Sequence, residues 1–345
     1  MINPFLKQKP FFLNLIILIF LITLSPAVSF ADADKVFKEN SKAVVVVITY
    51  DEKGNPISQG SGFIVRADGG VVTNYHVISN AKGIKVKAGD KVLETEGLIY
   101  VDKENDLVIL KVKGVNLPTV KLGDIEKANI GEKVYVISSP QGLENTISDG
   151  LLSGIREITS DKKILQITAP VSKGSSGGAV FNKDGEVIGI ATFLIEEAQN
   201  LNFAMPVNLI KDKIGSKKVI ALKDSALEDY KKTADYWFYL GVAYGDLGMY
   251  KESIEAYKQA IRIKPDDAEA HNNLGVAYGD LGMYKEEVEA YKQAIRIDPD
   301  YAKAHYNLGL SYLLLNDRGS ALEQYKILKG LDPELANKLF NLIYK

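Results

Sequence analysis

168-TAPVSKGSSGGAVFN-182 sets two adjacent serines among three glycines, just after a proline and just before an apolar run. Alone, a Gly-Ser cluster reads as a turn or a linker. Its meaning depends on whether another part of the chain needs a serine there. The surroundings are strand-like. From about residue 41 to 205, "AVVVVITY", "GFIVRADGGVVTN", "LVILKVKG", "EKVYVIS", "KILQIT" and "EVIGIATF" are rich in Val and Ile, with Gly, Asn and Asp between them. Short strands at this spacing, with no long helical period, predict an all-β barrel or sandwich. "FNKDGEVIGI" carries the Asp-Gly signature of a tight hairpin. After Pro206, "VNLIKDKIG" reads as a short closing helix, and "SKKVIALKDSALEDYKK" as a linker or lead-in helix.

A nucleophilic Ser176 needs a base, and the base needs a carboxylate to orient it. Of three histidines, His76, His271 and His305, only His76 lies outside the helical repeats described below. It ends a predicted strand in "VVTNYHVIS", where a lone histidine would ordinarily be structural. Thirty residues on, "VDKENDLVILKV" places Asp106 directly before a buried strand, from which a carboxylate can reach back to the imidazole. By itself Asp106 would be a routine turn residue, and Asp102 is an alternative orienter.

Taken in order, "TNYHV", "NDLVILKV" and "GSSGGAV" resemble the trypsin-like serine proteases, specifically the bacterial HtrA/Deg type. "GSGFIVRADGGVVTN", "SSPQGLENTISDGLLSGI", "DGEVIGIATF" and "NFAMPVN" extend the resemblance over residues 36–215. It implies an all-β double barrel, two six-stranded antiparallel barrels with a triad of His76, Asp106 and Ser176 in the cleft between them. It also implies an oxyanion hole made by the backbone N–H groups of Gly174 and Ser176, with Gly174 permitting the turn that aims them. Ser175 departs from the pattern, standing where relatives carry aspartate or asparagine, so its loop is expected to be less firmly set. The specificity pocket would involve Pro170, six positions before the serine, with Ala191, Thr192 and Phe193 opposite and Leu194 next. Pro170 offers no charge, so small or medium apolar residues are expected before the cut bond, unless Glu196 or Glu197 swings into the cleft.

From about residue 234 the chain repeats itself. "GVAYGDLGMYKESIEAYKQAIRIKP" at 241–265 recurs at 275–299 as "GVAYGDLGMYKEEVEAYKQAIRIDP", and a looser copy begins at Ala302. Pro265, Pro299 and Pro333 keep the period of 34 residues. With Trp237, Leu240, Gly241, Tyr244, Tyr257, Ala260 and Pro265, this resembles the tetratricopeptide (TPR) repeat. Each unit would be an antiparallel helix pair, Gly241 or Gly275 letting the helices cross closely, and the whole an all-α solenoid. Glu287 stands where a small residue is usual, and Asn316 and Arg318 replace Gly and Tyr in the third copy, which suggests looser packing there. His271 and His305 fall at the position of Trp237 and read as helix-packing residues. A concave groove for a protein or peptide partner would present Phe238, Val242, Asn272, Val276, Tyr306 and Leu310. These residues lack the Asn and Lys array that would clamp a C-terminal carboxylate. The expected organisation is multidomain: 36–215 protease, 216–233 linker, repeats at 234–267, 268–301 and 302–335, and a capping helix at 336–345.

Composition bounds the rest. A net charge of −2 over 345 residues gives no electrostatic case for nucleic acid. No cysteine is present, which removes thiol catalysis and Cys-ligated zinc, and the three histidines form no HExxH pair. No metal or cofactor is expected. Lys7 and Lys9 precede "FFLNLIILIFLITL", a run of fourteen residues, too short for an ordinary membrane span. Ser29 and Ala31 then offer small residues at a cleavage site, so 1–31 reads as a secretory signal peptide. Left uncleaved, it would be an N-terminal membrane tether. Either outcome puts the remainder in the periplasm or cell envelope, acting on protein or peptide substrates, and the sequence is compatible with an oligomer. A non-catalytic envelope scaffold built on a protease fold is the alternative function.

Overall fold

The computed structural model describes residues 27–139, 145–157, 162–192, 202–225 and 227–345. Helix α1 (Ala27–Asn40) leads into strand β1 (Val44–Tyr50). Strands β2 (Pro56–Arg66), β3 (Gly70–Asn74), β4 (Gly83–Ala88), β5 (Lys91–Asp102) and β6 (Leu107–Val112) follow. They hydrogen-bond in the order β5-β4-β1-β2-β3-β6, and β5 pairs again with β6 to close a six-stranded antiparallel barrel. β8 (Lys133–Ser138), β9 (Thr146–Glu157), β10 (Lys163–Ile167), β11 (Ala179–Phe181), β12 (Glu186–Thr192) and β13 (Asn202–Pro206) close a second, through β11–β12. The short strand β7 (Lys121–Leu122) attaches parallel to β12.

The continuous apolar runs follow from this arrangement, because both faces of a strand are covered. In β6, Val108 and Leu110 fill the first barrel while Leu107 and Ile109 face the second. In β8, Val134 and Val136 fill the second barrel while Tyr135 and Ile137 face the first. Alternate residues point to opposite faces, so each run serves one lumen and the shared interface. The interface core includes Phe63, Val72, Phe181, Ile190 and Phe203, all at most 3% exposed. The Asp184-Gly185 hairpin forms as expected, with Gly185 at φ 73° and the Asn182 side chain accepting from the N–H groups of Asp184 and Glu186.

Two expectations fail between the barrels and the repeats. The closing helix is only a 3₁₀ turn, Val207–Ile210, followed by further turns. The 216–233 stretch is neither helix nor free linker. Ile220 and Ala221 form strand β14, which pairs with Gly97 and Leu98 and adds a seventh strand to the first barrel's sheet. Two 3₁₀ turns, Leu222–Asp224 and Tyr230–Lys232, follow, and Tyr230 is buried in the core of that barrel. Its apolar ring, read along the sequence, falls outside any helical period and so gave no signal.

The repeats are helix pairs: α2 (Ala234–Asp246) with α3 (Tyr250–Ile263), α4 (Ala268–Asp280) with α5 (Tyr284–Ile297), and α6 (Ala302–Leu314) with α7 (Arg318–Leu331), then α8 (Pro333–Ile343). A Cβ at Gly241 or Gly275 would sit 2.7 or 2.5 Å from the ring of Tyr257 or Tyr291, so glycine sets the crossing distance. The third turn keeps the conformation of the other two, although the helix after it buries fewer side chains than its counterparts. Asn316 takes φ 60° where Gly248 and Gly282 take 70° and 71°, since asparagine tolerates the left-handed region. Asp317 then caps α7 through Ser320. The interface core continues without a break into Phe238, Tyr239, Leu240 and Ala243 of α2.

Candidate active site

The site is assembled where β3 ends and β6 begins. Asp106 sits at φ 54°, a left-handed conformation that aspartate accepts more readily than most residues. Its carbonyl accepts from Tyr75 N–H and the Asn74 side chain, at 3.0 and 2.9 Å. Its carboxylate accepts from the His76 backbone N–H at 2.8 Å and from His76 Nδ1 at 2.6 Å. Thr192 Oγ1, from the second barrel, donates to the same carboxylate at 3.3 Å. Asp106 and His76 are thereby locked in one geometry, with the imidazole side chain 27% exposed toward the cleft. Among the described residues, His76 Nε2 has no hydrogen-bond partner. Asp102, the alternative orienter, is engaged elsewhere, by Tyr100 and Asn105.

Ser176 lies on the turn before β11. Its carbonyl accepts from Ser61 N–H of the first barrel at 2.7 Å, and the next N–H, of Gly177, donates to Ala191 beside Thr192. The serine is thus tied both to β2 and to the strand that holds Asp106. Among the described residues, no hydrogen bond joins its hydroxyl to His76; such contacts commonly tighten only when substrate is bound. Gly174 takes φ 92° and Gly177 φ 84°, both in the region glycine favours. At Gly177 a side chain is excluded twice, because a Cβ would meet the Ser61 carbonyl at 2.1 Å. Among the described residues, the N–H groups of Gly174 and Ser176 have no protein acceptor. Both donors lie on one tight turn, the kind of backbone geometry that can receive an anion.

The turn is better held than Ser175 suggested. The Ser175 hydroxyl accepts from Ser172 N–H at 3.3 Å and bonds the Ser138 hydroxyl at 3.1 Å, and Ser61 Oγ links the Gly174 carbonyl to Ser139 N–H. The pocket expectation needs correction. Ala191 is fully buried in the second barrel's core, and Thr192 turns to Asp106 because its hydroxyl finds an acceptor there. Pro170 is exposed, its carbonyl bonded by Ser148. Phe193, Leu194, Glu196 and Glu197 lie outside the described residues.

Sequence reasoning misplaced Thr192 as a pocket wall and missed Ser61 as a part of the site. Ser61 and Thr192 act through hydroxyl bonds to residues far along the chain, which no local pattern encodes. The groove also needs correction. Phe238 is buried against the ring of Tyr257, and Asn272 is fully buried, accepting from Asn307 across the helices. Tyr306 and Leu310 are half-buried against the C-terminal core. Val242 and Val276 do line a cavity of about 260 Å³, shared with Arg156 of β9, Tyr250, Asn273 and Lys303.

Comparison with known proteins accords with these geometries. Residues 60–190 match the family model of the trypsin-like peptidase domain, and residues 243–282 and 280–316 match that of the TPR repeat. A probable periplasmic serine endoprotease DegP-like from Pseudomonas putida is 38% identical over 168 residues, 47% of this chain and 35% of that protein. The anti-sigma-I factor RsgI9 of Acetivibrio thermocellus is 35% identical over 175 residues, covering 50% of this chain and 24% of that one. A solved serine endoprotease from Yersinia pestis aligns at a TM-score of 0.47 with 32% identity, covering 53% of this chain and 66% of that one. The chain spans about a third of the length of the DegP-like relative. Two closed antiparallel barrels where the trypsin-like peptidase model matches, and a helical array where the TPR model matches, make this chain a trypsin-like peptidase domain, similar to the DegP-like endoproteases, joined to C-terminal TPR repeats.

Proposed function

We propose that the chain is an exported serine endopeptidase that cuts unfolded or envelope proteins, with its repeats recruiting substrates or partners. The observation that supports it most is the His76 Nδ1–Asp106 bond of 2.6 Å, held on a 4%-exposed carboxylate while Nε2 has no partner among the described residues. In this reading Ser176 Oγ attacks the scissile carbonyl as His76 Nε2 takes its proton. Asp106 holds the tautomer and stabilises the imidazolium, and Gly174 and Ser176 N–H receive the oxyanion. The imidazolium then returns its proton to the leaving amine, and water repeats the cycle on the acyl-enzyme. The leader-like segment and the periplasmic designation of the relatives support export. Labelling by a fluorophosphonate probe, followed by digestion of casein and sequencing of the products, tests the reading. Absence of labelling at Ser176 would leave the scaffold function, and casein left uncut by a labelled protein would overturn the endopeptidase reading.

A further inference from the structure

Behind the catalytic histidine the first barrel is closed by a residue from outside it. Tyr230, 2% exposed, faces the His76 ring with centroids 6.1 Å apart and planes inclined by 29°. Its edge contacts run in both directions: to Tyr75 at 6.0 Å and to Tyr236 of α2 at 5.8 Å, and Tyr236 meets Trp237 at 5.3 Å. The segment carrying it is fastened to the barrel. Tyr75 Oη donates to the Glu228 carbonyl, Asn80 N–H to the Leu227 carbonyl, and Lys103 pairs with Glu228 at 3.1 Å. It is fastened equally to the repeats, because Thr233 bonds the Tyr230 carbonyl and caps α2 by accepting from Tyr236 N–H. The Tyr230 hydroxyl is buried with no partner among the described residues, so the ring and not the hydroxyl makes the useful contacts.

We propose that Tyr230 is a positioning residue for His76, and that through Tyr236 it makes the first repeat a support of the catalytic histidine. The inference rests on the peptidase reading above. An imidazole anchored at Nδ1 alone can still pivot about that bond. A flat ring against one face removes the pivot and aims Nε2 at the cleft. Small displacements of a catalytic group are expensive, with about 1 Å able to lower turnover by about a hundredfold.

The experiment compares the full-length protein with Tyr230→Phe, Tyr230→Leu and Tyr236→Leu at one pH. It measures kcat and KM on a short peptide, the Nδ1 proton resonance of His76, and melting. Tyr230→Phe keeps the ring and should match wild type in kcat and resonance. Tyr230→Leu keeps apolar volume but not the plane. It should lower kcat at least about tenfold with little change in KM, and move the resonance. Tyr236→Leu, outside the barrel, should shift both in the same direction by less, and it decides the matter if Tyr230→Leu does not fold. Wild-type kcat and an unmoved resonance in the folded leucine variants would overturn the proposal, as would a kcat loss in Tyr230→Phe equal to that of Tyr230→Leu. A wild-type protein that never labels with fluorophosphonate sinks the peptidase reading instead; the resonance still reports whether Tyr230 sets the imidazole.

Discussion

At Asp106 every oxygen has a partner. The carbonyl holds Asn74 and Tyr75, one carboxylate oxygen holds the His76 amide, and the other holds Nδ1 and Thr192. Ser176→Ala and His76→Ala should each abolish proteolysis in a folded protein, with kcat losses on the order of 10⁶-fold known for such changes in a related mechanism. Near-wild-type casein hydrolysis by either variant would refute the roles given to them. Thr192→Val removes one of three side-chain acceptances without adding bulk. A single hydrogen bond is worth about 1 kcal/mol, so kcat should fall roughly fivefold, measured on a peptide substrate. An unchanged kcat would mean that the His76 contacts alone hold the carboxylate. The three residues of the proposed triad could be singled out because each lies in a local motif. Thr192 was misread as a pocket wall, since nothing in "GIATF" tells which face of the strand the hydroxyl takes.

Helix α5 carries the clearest misfit at the scale of an element. Glu287 is buried, one carboxylate oxygen has no partner among the described residues, and burial pushes its carboxyl above the usual range. Its counterpart one repeat earlier is Ser253, whose hydroxyl donates to the Gly241 carbonyl at 2.7 Å. Glu287→Ser can make the same bond to Gly275. A folded-state pKa above the unfolded one stabilises most below the unfolded value and loses that contribution as pH rises through the folded value. The variant should therefore gain stability over wild type at pH 7, by about 1–3 kcal/mol, and gain least near pH 4. Urea unfolding at the two pH values checks this, and a gain that is larger at pH 4 contradicts it. The repeat period made the helices and the glycine crossings legible, and it also marked Glu287 as out of place. It could not mark Phe238 and Asn272 as buried, because which side of a helix is covered depends on the neighbour it docks against.

Across the whole molecule, sequence and structure divide the chain differently. A chain ended near Lys217 keeps His76, Asp106, Ser176 and all twelve barrel strands, so the sequence suggests that it should still cut short peptides. In the structure that cut removes β14, leaving Gly97 and Leu98 without their strand partner, and it removes Tyr230 from the first barrel's core. It also uncovers interface-core residues that pack on α2, and Lys162, which pairs with Glu104 of the first barrel, loses the Tyr239 ring 5.8 Å away. Burying one large side chain contributes about 1.5–3 kcal/mol, and a small domain has only about 5–15 kcal/mol in total. The shortened chain should melt well below full length and hydrolyse peptides at least about tenfold more slowly, a difference of roughly 1.4 kcal/mol at the transition state. A chain ended after Thr233 regains β14 and Tyr230 but not Tyr236, so it should fall between the two. Measured side by side with melting curves, that ordering separates a repeat array that merely hangs from the protease from one that completes it. Equal kcat/KM for the chain ended at Lys217 and the full-length protein would show the array to be dispensable for chemistry.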